Sequence, residues 1–375
     1  MDAHTSAPDA ALIQLLAPDG TRLPDAAYGP LVEHLTAQDL RGFYRDMVVV
    51  RRFDNEATSL QRQGELALWV QSLGQEAAQI GSGRALAAQD FVFPAYREHG
   101  VALTRGVDLL EVLHLFRGYR HGGWDPVAHN FHLYTLVIGS HTLHATGYAM
   151  GVQRDGHVGT GDPGRDTAVM VYFGDGATSQ GDVNEALVFA AVNNAPLVFF
   201  CQNNQWAISE PTTRQSRVPL VRRGGGFGIP SVRVDGNDVL AVHAVTLEAL
   251  ERARTGGGPT FIEAFTYRMG AHTTSDDPTR YRSNAEEDYW RQRDPIDRLR
   301  VLLTTEGLAD DAFFAEVEAE ADAMGEATRT YCRALGEPPA TAMFDHVYSA
   351  PHPLVAEERA WFEQYEQSFV REGGA

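Results

Sequence analysis

The chain has 375 residues, 50 of them acidic and 31 basic, for a formal charge of −19, and every basic residue is Arg. Without a lysine it has no amine for a Schiff base and no lysine for a Walker P-loop or a protein-kinase phosphate site, so those reaction classes are excluded. Hydrophobic residues at 43% and charged residues at 22% are those of an ordinary globular protein, while the acidic balance argues against nucleic-acid partners.

Residues 1–35 carry Pro8, Pro18, Pro24 and Pro30 and read as an irregular arm. The first 30 residues hold Asp2, Asp9, Asp19 and Asp25 without a basic start or an apolar block, so no leader peptide is expected. No run is apolar and long enough to span a membrane, and the cytoplasm is the expected location. From Thr36, an N-cap, to about Arg62, the spacing of Leu40, Phe43, Tyr44, Met47, Val48 and Phe53 predicts a helix. A second helix is expected over 74–86.

The centre has a different rhythm. Apolar runs at 168–173, 197–201, 232–234 and 261–265 are separated by helix-compatible stretches, which predicts a mostly parallel sheet with helices on both faces. After Ser283 the chain reads as charged helices around 290–303, 313–324 and 353–370. The expected division is an arm at 1–35, an α/β domain at 36–283 and a helical region at 284–375 that packs on the core and on a partner chain. Cys201 and Cys332 are far apart and read as buried thiols.

The chemistry concentrates where the run at 168–173 enters Gly174-Asp175-Gly176-Ala177-Thr178-Ser179, followed by a helical stretch at 182–192 and an apolar run ending in Asn203-Asn204. One right-handed crossover makes these two strands parallel, so Asp175 and Asn204 meet at the carboxyl edge of the sheet, where ligands of open α/β folds bind. The glycines let backbone amides approach an anion, and an Asp carboxylate with an Asn amide oxygen supplies hard oxygen ligands for Mg²⁺. Gly-Asp-Gly alone is commonly a turn; its pairing with Asn-Asn about one βαβ unit later is what makes a magnesium-diphosphate clamp the better reading.

That stretch resembles the thiamine diphosphate fingerprint. Further segments, among them Phe93-Pro94-Ala95-Tyr96-Arg97-Glu98-His99-Gly100, Ala207-Ile208-Ser209-Glu210-Pro211-Thr212 and Arg268-Met269-Gly270-Ala271-His272-Thr273-Thr274-Ser275-Asp276-Asp277, resemble the alpha subunits of branched-chain 2-oxo acid dehydrogenases. The pyruvate and acetoin dehydrogenase alpha subunits are near relatives. Ser275-Asp276-Asp277 with Tyr281-Arg282-Ser283 leans to the branched-chain members.

The resemblance implies the thiamine diphosphate-binding fold and oxidative decarboxylation of a 2-oxo acid with reductive acylation of a lipoyl domain. It implies Asp175, Asn204 and the backbone carbonyl of Trp206 as magnesium ligands. Tyr96, Arg97 and the amides of Gly174, Gly176 and Ala177 become diphosphate contacts, and Ile138 the apolar wedge under a bent thiamine. His272 would be the catalytic histidine beside the diphosphate; without the motif it would read as a loop histidine paired with Asp276.

Arg268, Asp276, Tyr281 and Arg282 would belong to a loop ordered around the cofactor. Residues 136–141 replace the Ser-Pro-Leu turn of relatives, and Gln202 stands where branched-chain relatives carry Arg.

Only the diphosphate half of such a site is legible in a chain of this length, which predicts a separate beta subunit; the resemblance implies a two-alpha, two-beta heterotetramer and a lipoyl-bearing acyltransferase core as acceptor. A dinucleotide dehydrogenase is the competing enzyme class, but the motif lacks the third glycine. A non-catalytic partner-binding relative is the remaining alternative, against which Asp175, Asn204, Arg97 and His272 are all retained.

Overall fold

A computed structural model describes residues 11–372 of the chain. Its central strands are β1 (Leu12–Ile13), β2 (Phe91–Phe93), β3 (Val169–Gly174), β4 (Leu197–Asn203), β7 (Ser231–Asp235) and β8 (Thr260–Phe265), while β5 (Trp206–Ala207) and β6 (Glu210–Pro211) form a separate antiparallel ribbon. The six central strands make one entirely parallel sheet in the order β1-β7-β8-β4-β3-β2. The predicted α/β class with a doubly covered parallel sheet is the one observed.

Alternation along the strands explains why both faces are covered. Met170, Tyr172, Val198, Phe200 and Ile262 join one apolar cluster with the helices Ala37–Arg62, Glu76–Gly83 and Val239–Arg254. Their neighbours Val169, Val171, Phe173, Phe199 and Phe261 point the other way, against the helices Ser140–Arg154 and Gly181–Asn193. A strand buried on both faces cannot alternate apolar with polar residues, hence the uninterrupted apolar runs.

The first long helix starts where the sequence predicts, because Thr36 and Asp39 form a reciprocal capping box. The helices Pro295–Thr305 and Asp311–Ala334 pack along it and share its apolar cluster. No membrane-spanning helix, judged by length and apolar character, occurs among the described residues.

The expected irregular arm is corrected in part. Its first ten residues lie outside the described residues, but Leu12 and Ile13 add a parallel edge strand to β7, in register with Arg233 and Val234. Two short strand residues in a proline-punctuated stretch carry too little pattern to be read locally. The anchor is Asp238, whose buried carboxylate accepts from the amides of Leu15 and Leu16, both at 2.6 Å, and caps the helix Val239–Arg254 through the amides of Leu240 and Ala241. Arg298 reinforces the junction by donating to the Leu16 carbonyl and to Asp235.

Asp238→Ala strands four donors at once and should cost roughly 3 kcal/mol in urea unfolding, with faster amide exchange at Leu15 and Leu16; unchanged exchange there would show the arm is held by something else.

Candidate functional site

At the carboxyl ends of β2, β3, β4 and β8 the sheet opens into a cleft of about 170 Å³. All ten residues singled out from the sequence, Tyr96, Arg97, Ile138, Gly174, Asp175, Gly176, Ala177, Asn204, Trp206 and His272, line it. They come from five separate stretches of chain, brought together by the parallel topology.

β3 ends at Gly174, and residues Asp175–Ser179 turn as a short 3-10 helix. The amides of Gly176 and Ala177 lie in the opening turn, where a helix leaves its donors unpaired. Gly176 must lack a side chain: a Cβ there would lie 2.8 Å from that of Ala207 in the β5 ribbon. Asp175 is almost fully buried. One carboxylate oxygen accepts from Gln215 at 2.9 Å and lies 3.1 Å from the Thr212 hydroxyl, both neutral groups, and burial pushes the pKa upward. A desolvated carboxylate with neutral partners is poised to take a cation.

On the neighbouring strand the pleat alternates at the end of β4. Gln202 and Asn204 face the cleft, while Asn203 turns away and donates to Glu263 at 2.7 Å. The Asn204 amide nitrogen donates to Gln75 Oε1 at 3.1 Å, which fixes its orientation and leaves Oδ1 on the side of the Trp206 amide, 3.3 Å away. The Trp206 carbonyl accepts from Arg268 at 2.9 Å. A carbonyl has a second lone pair, the one open to a metal ion. No cluster of three or more His, Cys, Asp or Glu side chains suited to a metal occurs among the described residues, so a cation here would rest on this mixed oxygen set.

The same cleft also holds two cationic side chains. Arg97 and Arg268 are both buried, and neither has an ion pair among the described residues. Arg97 donates to the Gln71 carbonyl and to the His272 carbonyl at 3.0 Å; Arg268 spans the carbonyls of Trp206 and Ile208 and the Tyr281 hydroxyl. Two desolvated guanidiniums held by neutral acceptors make an anion site.

Between them lies the His272 ring. Its Nδ1 is 3.4 Å from Arg97 and 3.3 Å from Arg268. Guanidinium groups only donate, so Nδ1 must be the acceptor and the ring proton sits on Nε2. Burial, reinforced by the two arginine charges, lowers the His272 pKa to about 3. Asp276 holds the loop but not the ring, accepting from the His272 amide at 2.8 Å and from the Tyr281 hydroxyl. The ring pairing with Asp276 considered from sequence therefore does not form.

Three further side chains of the wall were not assigned from sequence. Gln75 is buried and its Nε2 has no hydrogen-bond partner, a donor left for an acceptor in the cleft. Ile208, at a positive φ of 54°, presents half-exposed apolar surface near Ile138 on the same cleft. Glu98 lies buried beneath Arg97. Gln75 had one usable signal, its place after Gly74, whose φ of 94° marks a forced turn where a Cβ would meet the Tyr267 carbonyl.

The dehydrogenase E1 component family model matches residues 44–338, which include every residue of the cleft wall. This chain belongs to the dehydrogenase E1 component family. The E1 chain is 48% identical over 310 residues to the 3-methyl-2-oxobutanoate dehydrogenase subunit alpha of Mycobacterium tuberculosis H37Rv, covering 82% of both chains. It is 38% identical to the mitochondrial 2-oxoisovalerate dehydrogenase subunit alpha 2 of Arabidopsis thaliana, over 84% of this chain and 67% of that one. To the pyruvate dehydrogenase E1 component subunit alpha of Staphylococcus epidermidis ATCC 12228 the identity is 34%, over 95% and 93%.

The histidine geometry is directly testable in the E1 chain. With ¹⁵N-histidine labelling, the signal lost in His272→Gln should belong to a neutral ring protonated at Nε2, with no titration down to about pH 4. A midpoint near the ordinary histidine value would show that the two arginines do not hold it.

Proposed function

We propose that the E1 chain is the alpha subunit of a branched-chain 2-oxo acid dehydrogenase, binding thiamine diphosphate through Mg²⁺ and working with a beta subunit and a lipoyl-bearing acyltransferase core. The observation that carries the reading is that the buried Asp175 and Asn204, at the ends of adjacent strands, share one cleft with two buried arginines that have no ion pair among the described residues. Its chemistry fits an anion delivered with a hard divalent cation, which is what a magnesium diphosphate is. The 3-methyl-2-oxobutanoate relative matches at 48% identity, above the pyruvate relatives at 34% to 39%, which favours the branched-chain substrate class.

In this reading Asp175, the Asn204 amide oxygen and the free lone pair of the Trp206 carbonyl hold the cation. The Gly174–Ala177 turn, Tyr96, Arg97 and the unpartnered Gln75 amide hold the phosphoryl oxygens. Thiamine diphosphate, when bound, supplies the electron sink that decarboxylation of a 2-oxo acid requires.

The chain's part is to orient and to keep water out. Ile138 and Ile208 line the cleft with apolar surface that would pack against the coenzyme. His272, kept neutral by its two cationic neighbours, offers an Nε2 proton to an oxygen without adding a charge, and so stands as the catalytic histidine. The beta subunit supplies the groups that activate the coenzyme ring, in a two-alpha, two-beta assembly.

Asp175→Asn separates binding from folding. It removes the charge and keeps an oxygen acceptor for Gln215, so the cofactor-free protein should melt no lower than wild type, while Mg²⁺-dependent thiamine diphosphate binding by calorimetry should weaken about 100-fold or more. Unchanged affinity would refute the metal role. With the co-purified beta chain and an artificial electron acceptor, kcat/KM for 3-methyl-2-oxobutanoate should exceed that for pyruvate by about tenfold or more. The reverse order would move the chain to the pyruvate class.

A further inference from the structure

Beneath Arg97 runs a chain of buried polar side chains that touches neither the cation ligands nor the histidine. Gln79, from the helix Glu76–Gly83, accepts from the Gly100 amide at 2.8 Å and donates through Nε2 to the Arg97 carbonyl at 2.9 Å. The same nitrogen lies 3.2 Å from Gln202 Oε1. Gln202, on β4, donates to Glu98 Oε1 at 2.6 Å, and Glu98 Oε2 accepts from the Arg97 amide at 3.2 Å. Gln79, Gln202 and Glu98 are 0%, 2% and 2% exposed.

The direction of every bond in this chain is dictated. The Gly100 amide can only donate and the Arg97 carbonyl can only accept, which orients Gln79; Gln79 then orients Gln202, so Gln202 must present its NH₂ to Glu98. Both Glu98 oxygens therefore receive hydrogen bonds. The Arg97 backbone is gripped from both sides, its N–H by Glu98 and its C=O by Gln79.

Glu98 immediately precedes the helix His99–Thr104 yet makes no side-chain cap to it, turning back under Arg97 instead. A carboxylate buried this deeply is costly: burial pushes its pKa up to about 7, countered by the amide and charge of Arg97, the Ala95 amide and Gln202. Tyr134 and Tyr172 face it from neighbouring elements, both uncharged because burial raises them well above the ordinary tyrosine range. A group retained at such a cost, in bonds to one neighbour's backbone, acts through that neighbour.

We propose that Glu98 is a positioning residue for Arg97: its carboxylate, oriented by the amide relay Gln79–Gln202, fixes the Arg97 backbone so that the guanidinium stays aimed into the diphosphate end of the cleft. The inference rests on the reading of Arg97 as a diphosphate contact and goes beyond it by naming what holds that contact in place.

The test is thiamine diphosphate titration with excess MgCl₂ by calorimetry, on the full chain with its beta partner. Glu98→Gln leaves an amide NH₂ facing either Gln202 or the Arg97 amide and should raise Kd about tenfold. Pairing it with Gln202→Glu moves the carboxylate one place along the relay. The carboxylate on β4 then accepts from Gln79 and from the amide introduced beneath Arg97, whose carbonyl oxygen is left free for the Arg97 N–H, and Kd should return to within about threefold of wild type. On an Arg97→Ala background, Glu98→Gln should change Kd no further. Should the single variant not fold, the swapped pair carries the test.

Wild-type affinity in Glu98→Gln, absence of rescue in a folded swapped pair, or additive losses with Arg97→Ala would each overturn the positioning role. A folded wild-type assembly that binds no thiamine diphosphate would overturn it together with the proposed cofactor, whereas tight wild-type binding with any of the other results sinks the positioning role alone.

Discussion

The site depends on separated charge in a desolvated cleft. Asp175 is buried with neutral donors, and Arg97 and Arg268 are buried in the same cleft with neutral acceptors. The opposite charges are not paired with each other, which a structure selected only for stability would do, since an isolated buried charge is expensive. What keeps them apart is the scaffold: β3 delivers Asp175, the loop after β2 delivers Arg97, and the loop after β8 delivers Arg268. The gap between them fits a ligand that brings both signs of charge.

The same separation governs His272. A histidine beside a carboxylate becomes cationic readily; one wedged between guanidiniums cannot. The loop seats Asp276 on the His272 backbone and on Tyr281, close enough to order the segment and turned so that the ring nitrogen Nδ1 meets the two guanidiniums and not the carboxylate. The lack of lysine matters here too, because a guanidinium keeps its proton in a desolvated wall where an ammonium would shed it.

How much of this could be read beforehand follows from distance along the chain. The β3-helix-β4 unit was legible because its strands are long, buried on both faces and linked by one crossover, so that Asp175 and Asn204 fall at the same edge by topology alone. The first long helix was legible from Thr36 and Asp39, three residues apart. β2, three residues long, had no period to show, and neither did β1, whose partner strand begins more than two hundred residues later. The arrangement around Glu98 draws on residues 79, 97, 98, 100 and 202, and no local pattern marks a side chain that turns back beneath its neighbour. The hold of Arg268 on the Trp206 carbonyl is likewise a tertiary fact.

The edge strand β1 has a consequence for biosynthesis. Leu12 and Ile13 are translated more than two hundred residues before the strand they pair with and the Asp238 carboxylate that seats them. Throughout that interval the outer margin of the sheet does not exist, and when β7 does form, its open side is a row of unsatisfied amides and carbonyls until Leu12 and Ile13 return to cover it. Closing so long a loop is among the slower events a chain can undergo. Completion of this edge thus waits on a segment made much earlier, and a nascent protein cut short of residue 238 would hold Leu12 and Ile13 with nowhere to dock.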